Sequence, residues 1–379
     1  MIGLKIPFNK ASLVGTETEN VLKAFSDMHI AGDGSFTRRC HELLERAVGA
    51  PKALLTTSCT HALEMAALLL DIQPGDEVVV PSFTFVSTVN AFVLRGARPV
   101  FIDIRPDTLN MDERLLEAKL TAKTRAIVPV HYAGVGCDMD VICKLGSERG
   151  IAVVEDNAHG LFGKYRGRNL GSFGTFSTLS FHETKNITCG EGGALIINEP
   201  KFIERAEVIR EKGTNRSQFF RGQVDKYGWV DVGSSYLPSE VLAAFLVAQL
   251  EAWESIQSRR MAAWARYRAE LGSWAESRGI GLPHIPAEAE HPAHMFYLVF
   301  PTLAQRQAFI AHMWQAGIVA PFHYVPLHTS IMGRKLGYGD GDCPVTENIS
   351  DRLVRLPLYA SITSDDQGKV IDQILEFRA

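Results

Sequence analysis

The feature that most constrains this 379-residue chain is the alternation, through its first two thirds, of short apolar strands with helical segments. Strands that are apolar throughout are typical of sheets buried on both faces, and the intervening helices predict βαβ units. We therefore predict an α/β fold with a mainly parallel sheet in a large domain, residues 1–250, and a smaller α+β domain, residues 251–379. The predicted strands of the sheet are 54–58, 77–81, 99–104, 126–132, 151–156, 173–182 and 192–198.

Two segments carry more specific local predictions. Thr16 with Glu19 predicts a capping box, which opens a helix that ends near His29. The polar segment 214–236 is too long for a simple connection, which is typical of functional or disordered loops, and its aromatic residues argue against disorder.

Composition and charge exclude several classes of protein. With 46% hydrophobic residues, 22% charged residues and a formal net charge of −4, the chain is typical of a globular protein and not of a nucleic-acid-binding one. No apolar run in the chain approaches the roughly 18 residues of a membrane span. Residues 1–12 contain no apolar core of a secretory signal. These patterns predict a cytoplasmic protein without a membrane or nucleic-acid partner.

The cysteines and glycines exclude two kinds of site. The six cysteines form no CxxC pair and no zinc spacing, so we predict reduced thiols and no metal site. Neither GxxxxGK[ST] nor a GxGxxG after the first strand is present, so the usual nucleotide-binding loops are absent. The cysteines are Cys40, Cys59, Cys137, Cys143, Cys189 and Cys343.

Polar and aromatic residues follow the first two strands, where the ligands of open α/β sheets gather. Ser58-Cys59-Thr60 opens a helix, and hydroxyls with free backbone N–H groups suit a phosphate there, although a plain helix cap explains the serine equally well. Phe83 and Phe85 follow the second strand. Each ring has two possible roles there, to stack on a flat ligand or to pack in the core.

An acid and a lysine follow two later strands. Asp156 ends a buried strand, where a charge needs a partner such as a protonated ring nitrogen, although a helix cap is the simpler explanation. Lys185 lies between a buried strand and the loop CGEGG, where it can form a Schiff base with a carbonyl cofactor or be a solvated loop residue. Together, a phosphate cup, an aromatic ring, an acid and a lysine are the parts that pyridoxal phosphate needs.

Longer motifs connect these positions to a known family. They are PSFTFVSTVNA (81–91), PVHYAG (129–134), VEDNAHG (154–160), the segment 172–195 and HYVPLH (323–328). In this order they resemble the DegT/DnrJ/StrS family of sugar aminotransferases over essentially the whole chain. A narrower resemblance, to members that act at C4 of a dTDP-linked keto sugar, is carried by 32–40, 58–78 and 210–227.

The resemblance implies the aspartate-aminotransferase-like fold type I and a homodimer whose active sites lie at the subunit interface. It implies that Lys185 holds pyridoxal 5'-phosphate as a Schiff base and that Asp156 pairs with the pyridine nitrogen. His159 replaces a glutamine that is common in the family, and Ser235 replaces an asparagine that reaches the neighbouring subunit's phosphate. The remaining cofactor-binding positions implied are Cys59, Thr60, Phe85 and Ser180.

The narrower resemblance implies a reaction. An amino group moves from L-glutamate to C4 of dTDP-4-dehydro-6-deoxy-D-glucose, giving the 4-amino-4,6-dideoxy-galactose derivative and 2-oxoglutarate for enterobacterial common antigen or O-antigen synthesis. For the pyrophosphate and the sugar the candidates are Arg216, Arg221, Lys226, His323 and His328, each of which a solvated loop or structural role explains about as well.

Three other functions remain open from the sequence. The first is a transaminase of the same family that acts at C3 or on a UDP or GDP sugar. The second is a sugar dehydratase, although such relatives have histidine in place of the lysine. The third is a non-catalytic regulator that binds sugar nucleotides, against which Lys185 and Asp156 both argue.

Overall fold

The computed structural model describes residues 6–378, and its centre is a seven-stranded sheet with the order β1-β9-β8-β5-β4-β2-β3. A three-stranded sheet, β10-β6-β7, and a β11–β12 pair lie outside it. The strands are β1 (Lys52–Thr56), β2 (Glu77–Pro81), β3 (Arg98–Ile102), β4 (Thr124–Ile127), β5 (Ala152–Asp156), β6 (Lys164–Tyr165), β7 (Arg168–Asn169), β8 (Phe176–Ser180), β9 (Gly193–Ile197), β10 (Ala289–Glu290), β11 (Tyr297–Val299) and β12 (Leu353–Arg355).

The central sheet is mostly parallel, as predicted. Strands β3, β2, β4, β5 and β8 run parallel to one another, whereas β9 runs antiparallel to both of its neighbours, β1 and β8. The sequence did not predict this reversal. It arises because a loop without a helix joins β8 to β9, and only a crossover would return the chain to the parallel direction.

Helices cover both faces of this sheet. The α-helices of residues 6–378 are α1 (Glu17–Ser26), α2 (Ser35–Val48), α3 (Cys59–Leu69), α4 (Val86–Val93), α5 (Leu116–Lys119), α6 (Met139–Arg149), α7 (Ile203–Arg210), α8 (Arg216–Phe220), α9 (Glu240–Glu251), α10 (Trp253–Glu276), α11 (Leu303–Gln315), α12 (Ile331–Lys335), α13 (Pro344–Arg352) and α14 (Ser364–Glu376). Residues of α3, α4 and α7 pack on one face, and residues of α1, α2, α6 and α9 pack on the other. Burial of both faces explains why the strands are apolar throughout.

A separate core lies in the C-terminal part of the chain. Apolar residues of α10, α11, α14, β11 and β12 pack together there, joined by Ile6 from the N-terminal end. A smaller cluster, which includes Phe83, Tyr132 and Tyr297, fills the space between the carboxyl ends of the sheet strands and β11. Within residues 6–378, no helix combines the length and apolarity needed to cross a bilayer.

Some local predictions were wrong. The Thr16 side chain does not cap α1; instead the Glu17 carboxylate accepts hydrogen bonds from the backbone N–H groups of Val14 and Gly15, at 2.7 and 2.8 Å. The helix ends at Ser26, before His29. Residues 1–5, on which part of the secretory-signal prediction rests, lie outside the described residues.

Candidate functional site

The acid and the lysine predicted from the sequence lie near each other. Asp156 is the last residue of β5, and Lys185 follows β8 in the loop that leads to β9. Because β5 and β8 are parallel neighbours, their carboxyl ends meet at one edge of the sheet. Burial lowers the pKa of the Lys185 amine below its usual value, and nearby Cys59 and Asp156 oppose that shift. The amine is therefore less basic than a solvated lysine, while the nearby Asp156 carboxylate favours its charged form.

The Asp156 carboxylate is buried and held by neutral donors. The Thr88 hydroxyl donates to Oδ2 at 2.7 Å, and the Ala158 backbone N–H donates to Oδ1 at 3.2 Å. Burial raises the pKa of Asp156, and the hydrogen bond from Thr88 opposes that rise. Among residues 6–378 no basic side chain lies within salt-bridge distance of this acid. A buried carboxylate of this kind favours a protonated ligand atom as its partner.

Two helices begin at the same place. The Ser58 hydroxyl caps α3 by accepting from the His61 backbone N–H at 3.1 Å. The Thr60 hydroxyl of α3 donates to the Ser87 hydroxyl of α4 at 2.8 Å, which ties the first turns of the two helices together. Neither first turn contains an acidic residue. Hydroxyls, N–H groups and helix dipoles thus converge where an anion is favoured.

Strand β9 packs directly against the start of α3 at Gly193. A Cβ on this glycine would lie 2.3 Å from the Cys59 backbone nitrogen and 2.3 Å from the Ser58 carbonyl carbon. Gly193 also pairs with Ser180, the half-buried last residue of β8. Only glycine therefore permits β9 to lie this close to the anion-favouring helix end.

Replacing Gly193 with alanine is expected to lower the free energy of unfolding by about 1–3 kcal/mol, because backbone atoms on both sides must move apart. Urea denaturation followed by circular dichroism measures the change. Gly272→Ala is the matched control: its Cβ meets nothing within 4 Å inside α10, and alanine favours the helix. Equal unfolding midpoints for the two variants would contradict the predicted clash.

Three histidines, all uncharged at neutral pH, line the site. The His159 and His294 rings stack with centroids 4.2 Å apart and planes 16° apart. The His159 ring centroid also lies 6.3 Å from that of His323. Burial, the largest cause, holds the pKa of each ring well below its usual value. The Nδ1 of His159 is buried without a hydrogen-bond partner, so a ligand atom has an unsatisfied group to bind.

His294 reaches the site through a turn that the sequence did not reveal. Its Nδ1–H donates to the Asn186 amide oxygen at 2.9 Å, and Asn186 Nδ2 donates to the Pro292 carbonyl at 2.7 Å. Ala293 has a left-handed φ of 48°. Arg260 donates from Nε to the Ala293 carbonyl at 3.2 Å and from Nη2 to the His294 carbonyl at 2.6 Å. These bonds fix a strained turn next to the residue that follows Lys185.

The two phenylalanines after β2 differ in position. Phe83 is only 1% exposed and packs against Tyr132 and Tyr324, so it belongs to the core. Phe85 is 57% exposed at the start of α4, with its ring centroid 6.5 Å from that of Tyr324. Phe85, and not Phe83, is therefore the ring available to a flat ligand.

His328, a candidate for contact with the sugar, has a partner within the chain at each ring nitrogen. Its Nδ1 lies 2.6 Å from the Ser82 hydroxyl and its Nε2 lies 2.9 Å from the Glu347 carboxylate, and the ring is fully buried. This arrangement favours the structural alternative for His328. His323 differs: its Nδ1 lies 2.9 Å from the Tyr132 hydroxyl, and its ring lies beside His159.

The remaining candidates lie on the exposed segment 214–236. Arg216 lies 3.9 Å from Glu211, and Arg221 forms a 2.8 Å ion pair with Glu207. Lys226 is exposed, and Ser235 is exposed with a backbone bridge to Glu211. Within this chain they are not joined to Lys185 by any hydrogen bond among the described residues. The described residues also contain no cluster of three or more His, Cys, Asp or Glu side chains able to hold a metal ion.

Comparison with known proteins finds related sequences and similar solved structures that agree with one another. The spore coat polysaccharide biosynthesis protein SpsC of Bacillus subtilis is 32% identical over 335 residues, which cover 86% of this chain and 85% of SpsC. The putative sugar aminotransferase Spr1654 of Streptococcus pneumoniae, in its PMP form, superimposes with a TM-score of 0.90 at 27% identity, covering 97% of this chain and 98% of that one. The same protein has been solved in apo and PLP forms.

DesV of S. venezuelae, solved in complex with a ketimine intermediate, matches with a TM-score of 0.89 at 28% identity, covering 98% of each chain. The predicted α/β fold class is confirmed, and the PMP and PLP forms of Spr1654 agree with the predicted cofactor, pyridoxal phosphate. The model of the DegT/DnrJ/EryC1/StrS aminotransferase family matches residues 12–375. This chain therefore belongs to the DegT/DnrJ/EryC1/StrS aminotransferase family.

Proposed function

We propose that the protein is a pyridoxal-phosphate-dependent aminotransferase that acts on a keto group of a nucleotide-linked sugar. The observation that carries the proposal is the Lys185 amine, which is held near a buried carboxylate with no basic partner, Asp156. Covalent catalysis by lysine needs an amine of lowered pKa, and burial lowers the pKa of this one.

The residues present fit each part of the cofactor. Lys185 would bind the aldehyde, and Asp156 would pair with the ring nitrogen. The joined starts of α3 and α4, with Cys59, Thr60 and Ser180, suit the phosphate. Phe85 offers an exposed ring. The unpartnered Nδ1 of His159 offers a group for the ring hydroxyl.

The bound cofactor would supply an electron sink for the carbon that loses its proton. The chain's residues have separate tasks. The unprotonated form of the Lys185 amine, which a lowered pKa makes more abundant, would accept a proton from substrate carbon and return it. The Asp156 carboxylate keeps the ring nitrogen protonated by direct charge pairing. The neutral rings of His159, His294 and His323 limit water around the amine.

We propose L-glutamate as the amino donor and C4 of dTDP-4-dehydro-6-deoxy-D-glucose as the acceptor, for cell-surface polysaccharide synthesis. Support comes from the motifs 32–40, 58–78 and 210–227, and from the polysaccharide role in the name of SpsC. Arg216, Arg221 and Lys226 are the proposed pyrophosphate ligands. Because Arg216 and Arg221 face acidic side chains in one subunit, their ion pairs must rearrange when the substrate binds.

We further propose a homodimer whose subunits share the active sites. The segment 214–236 exposes large aromatic side chains: Phe220 is 68% exposed, Tyr227 52% and Trp229 83%. Exposed apolar groups of this size are typical of interaction surfaces. Within each subunit we propose the division into residues 1–250 and 251–379, which the separate C-terminal core supports.

The hydrogen bond from Thr88 to Asp156 is expected to support cofactor binding. Thr88→Val keeps the shape but removes the donor, so the dissociation constant for pyridoxal phosphate should rise about 10- to 100-fold, the usual loss for a hydrogen bond to a charged group. Absorbance titration of the cofactor-free protein measures it. Thr88→Ser, which keeps the hydroxyl, should restore most of the affinity. Equal affinity in the valine variant would contradict the role.

One experiment tests the proposed function. The protein is incubated with pyridoxal phosphate, L-glutamate and dTDP-4-dehydro-6-deoxy-D-glucose, and the product is identified by mass spectrometry and by NMR of the sugar ring. The expected product carries an amine at C4 with the galacto configuration. Exclusive reaction with the 3-keto isomer, or with UDP or GDP sugars, would identify a different transaminase. A protein that binds no cofactor would be a sugar-nucleotide-binding regulator instead.

A further inference from the structure

We propose that Asn186 and His294 form a bridge that fixes the His159 ring relative to the Lys185 amine, an assignment that rests on the proposed function. In that function Lys185 would bind the cofactor aldehyde, and His159 would bind the ring hydroxyl. The aldehyde and the hydroxyl are on adjacent atoms of the pyridine ring, so the amine and the imidazole must keep a set separation. Lys185 and His159 lie on different loops, after β8 and after β5, so their separation depends on whatever joins the two loops.

The bridge begins at Asn186, the residue directly after Lys185. The Asn186 Nδ2 donates to the Pro292 carbonyl at 2.7 Å, and the Asn186 Oδ1 lies 2.9 Å from the His294 Nδ1. The His294 ring then stacks on the His159 ring, with centroids 4.2 Å apart and planes 16° apart. Direct contacts thus lead from the residue beside the reacting amine to the ring that would bind the cofactor hydroxyl.

The Asn186 amide also determines which nitrogen of His294 carries the proton. The Pro292 carbonyl can only accept a hydrogen bond, so the amide nitrogen faces it and the amide oxygen faces His294. An amide oxygen can only accept, so the proton of the neutral His294 ring is on Nδ1 and its Nε2 carries none. Two neutral rings, His294 and His159, can stack without charge repulsion.

The C-terminal end of the bridge is held from its other side. Buried Arg260 of α10 donates to the carbonyls of Ala293 and His294, and Ala293 has the left-handed φ of 48°. A buried cation and a left-handed alanine both cost free energy. Their presence in one turn indicates that the position of His294 matters for more than packing.

The loop of Lys185 does not need the Asn186 side chain for its own turn. The Lys185 backbone N–H donates to the His182 carbonyl at 2.9 Å, and the Asn9 Nδ2 donates to the Glu183 carbonyl at 3.0 Å. Loss of the Asn186 side chain should therefore leave the loop folded and remove only its link to the C-terminal part of the chain.

Two ligands distinguish this positioning role from a general loss of structure. Pyridoxal phosphate uses both the Lys185 amine and the hydroxyl site, whereas 4-deoxypyridoxine 5'-phosphate keeps the ring hydroxyl but has no aldehyde. In cofactor-free Asn186→Ala, the dissociation constant for pyridoxal phosphate should rise about 10-fold, as loss of one hydrogen bond predicts, and that for the deoxy compound should stay near the wild-type value. His294→Phe keeps a flat ring on His159 without the Nδ1–H and should give the same result. The double variant should lose little more. Quenching of protein fluorescence measures both constants.

NMR of the cofactor-free protein with ¹⁵N-labelled histidines reports the proton position directly. The His294 signals, identified by their absence from His294→Phe, should show Nδ1–H in the wild type and Nε2–H in Asn186→Ala. Asn198→Ala is the matched control, because it loses two side-chain hydrogen bonds, to the carbonyls of Gly171 and Gly174, at the opposite edge of the sheet. It should keep the wild-type proton position and both dissociation constants.

Equal losses of affinity for the two ligands in Asn186→Ala, or a wild-type His294 with its proton on Nε2, would overturn this proposal alone. A wild-type protein that gives no borohydride-trapped adduct with pyridoxal phosphate would overturn the proposed function and this assignment with it.

Discussion

Lys185→Arg is expected to abolish amino transfer, with a loss of at least about 10³-fold, because arginine neither condenses with an aldehyde nor gives up its proton near neutral pH. The positive charge near Asp156 is kept, so the fold should persist. Two measurements test this: turnover with L-glutamate and the keto sugar, and mass spectrometry after borohydride reduction, which in the wild type should show one cofactor on the peptide that contains residue 185.

The control is Lys144→Arg, at an exposed lysine of α6 that lies 3.9 Å from the carboxylate of Glu148. This variant should keep full activity and a single trapped cofactor. If Lys185→Arg still gave full yield of a borohydride-trapped adduct, the covalent role of Lys185 would be refuted, and another amine would have to hold the cofactor.

Asp156→Asn is expected to reduce turnover about 10²- to 10³-fold, the scale seen when one electrostatic partner of a developing charge is lost. The side chain keeps its size, and its amide oxygen can still accept from Thr88 or Ala158, so cofactor attachment at Lys185 should remain. This variant should therefore lose most of its turnover but still give the borohydride-trapped adduct.

Asp156 also predicts a pH dependence. Burial raises the pKa of this acid in the cofactor-free protein, so it keeps its proton to a higher pH than a solvated aspartate. Binding to a protonated ring nitrogen needs the carboxylate, so cofactor affinity in the wild type should fall as pH falls through that raised pKa. Asp156→Asn should bind more weakly at neutral pH and lose this dependence. An unchanged pH profile in the variant would refute the pairing.

The central sheet could be predicted from the sequence because each strand is marked by a short apolar run within a few residues. Runs such as EVVVP can be buried on both faces only inside a covered sheet, and β2 has the predicted bounds, 77–81. The prediction for 126–132 was too long, since regular pairing of β4 ends at Ile127, just before Pro129, which has no N–H to donate. The direction of β9 depends on pairing across the sheet, which no local pattern encodes.

The residues of the site also fall into two groups, those that local sequence patterns predicted and those that they did not. Strand ends and helix starts placed Asp156, Lys185 and Thr60 at one edge of the sheet from the sequence. His294 comes from the C-terminal part, and it follows no recognisable pattern in the chain. HPAHMF offers a weak signal only in retrospect, because the arrangement depends on the left-handed backbone at Ala293 and on the bonds from Arg260.

The antiparallel position of β9 has a consequence for how the chain acquires its structure. β1 lies at the edge of the sheet, where Lys52 pairs with Ile197 of β9. During synthesis β1 therefore stays unpaired until β9, more than a hundred residues later in the chain, has been made. A nascent chain or a fragment that stops before residue 193 leaves 52–56 as an unpaired apolar edge, which is prone to aggregate. Circular permutants and split versions of this protein should therefore keep 52–197 on one piece.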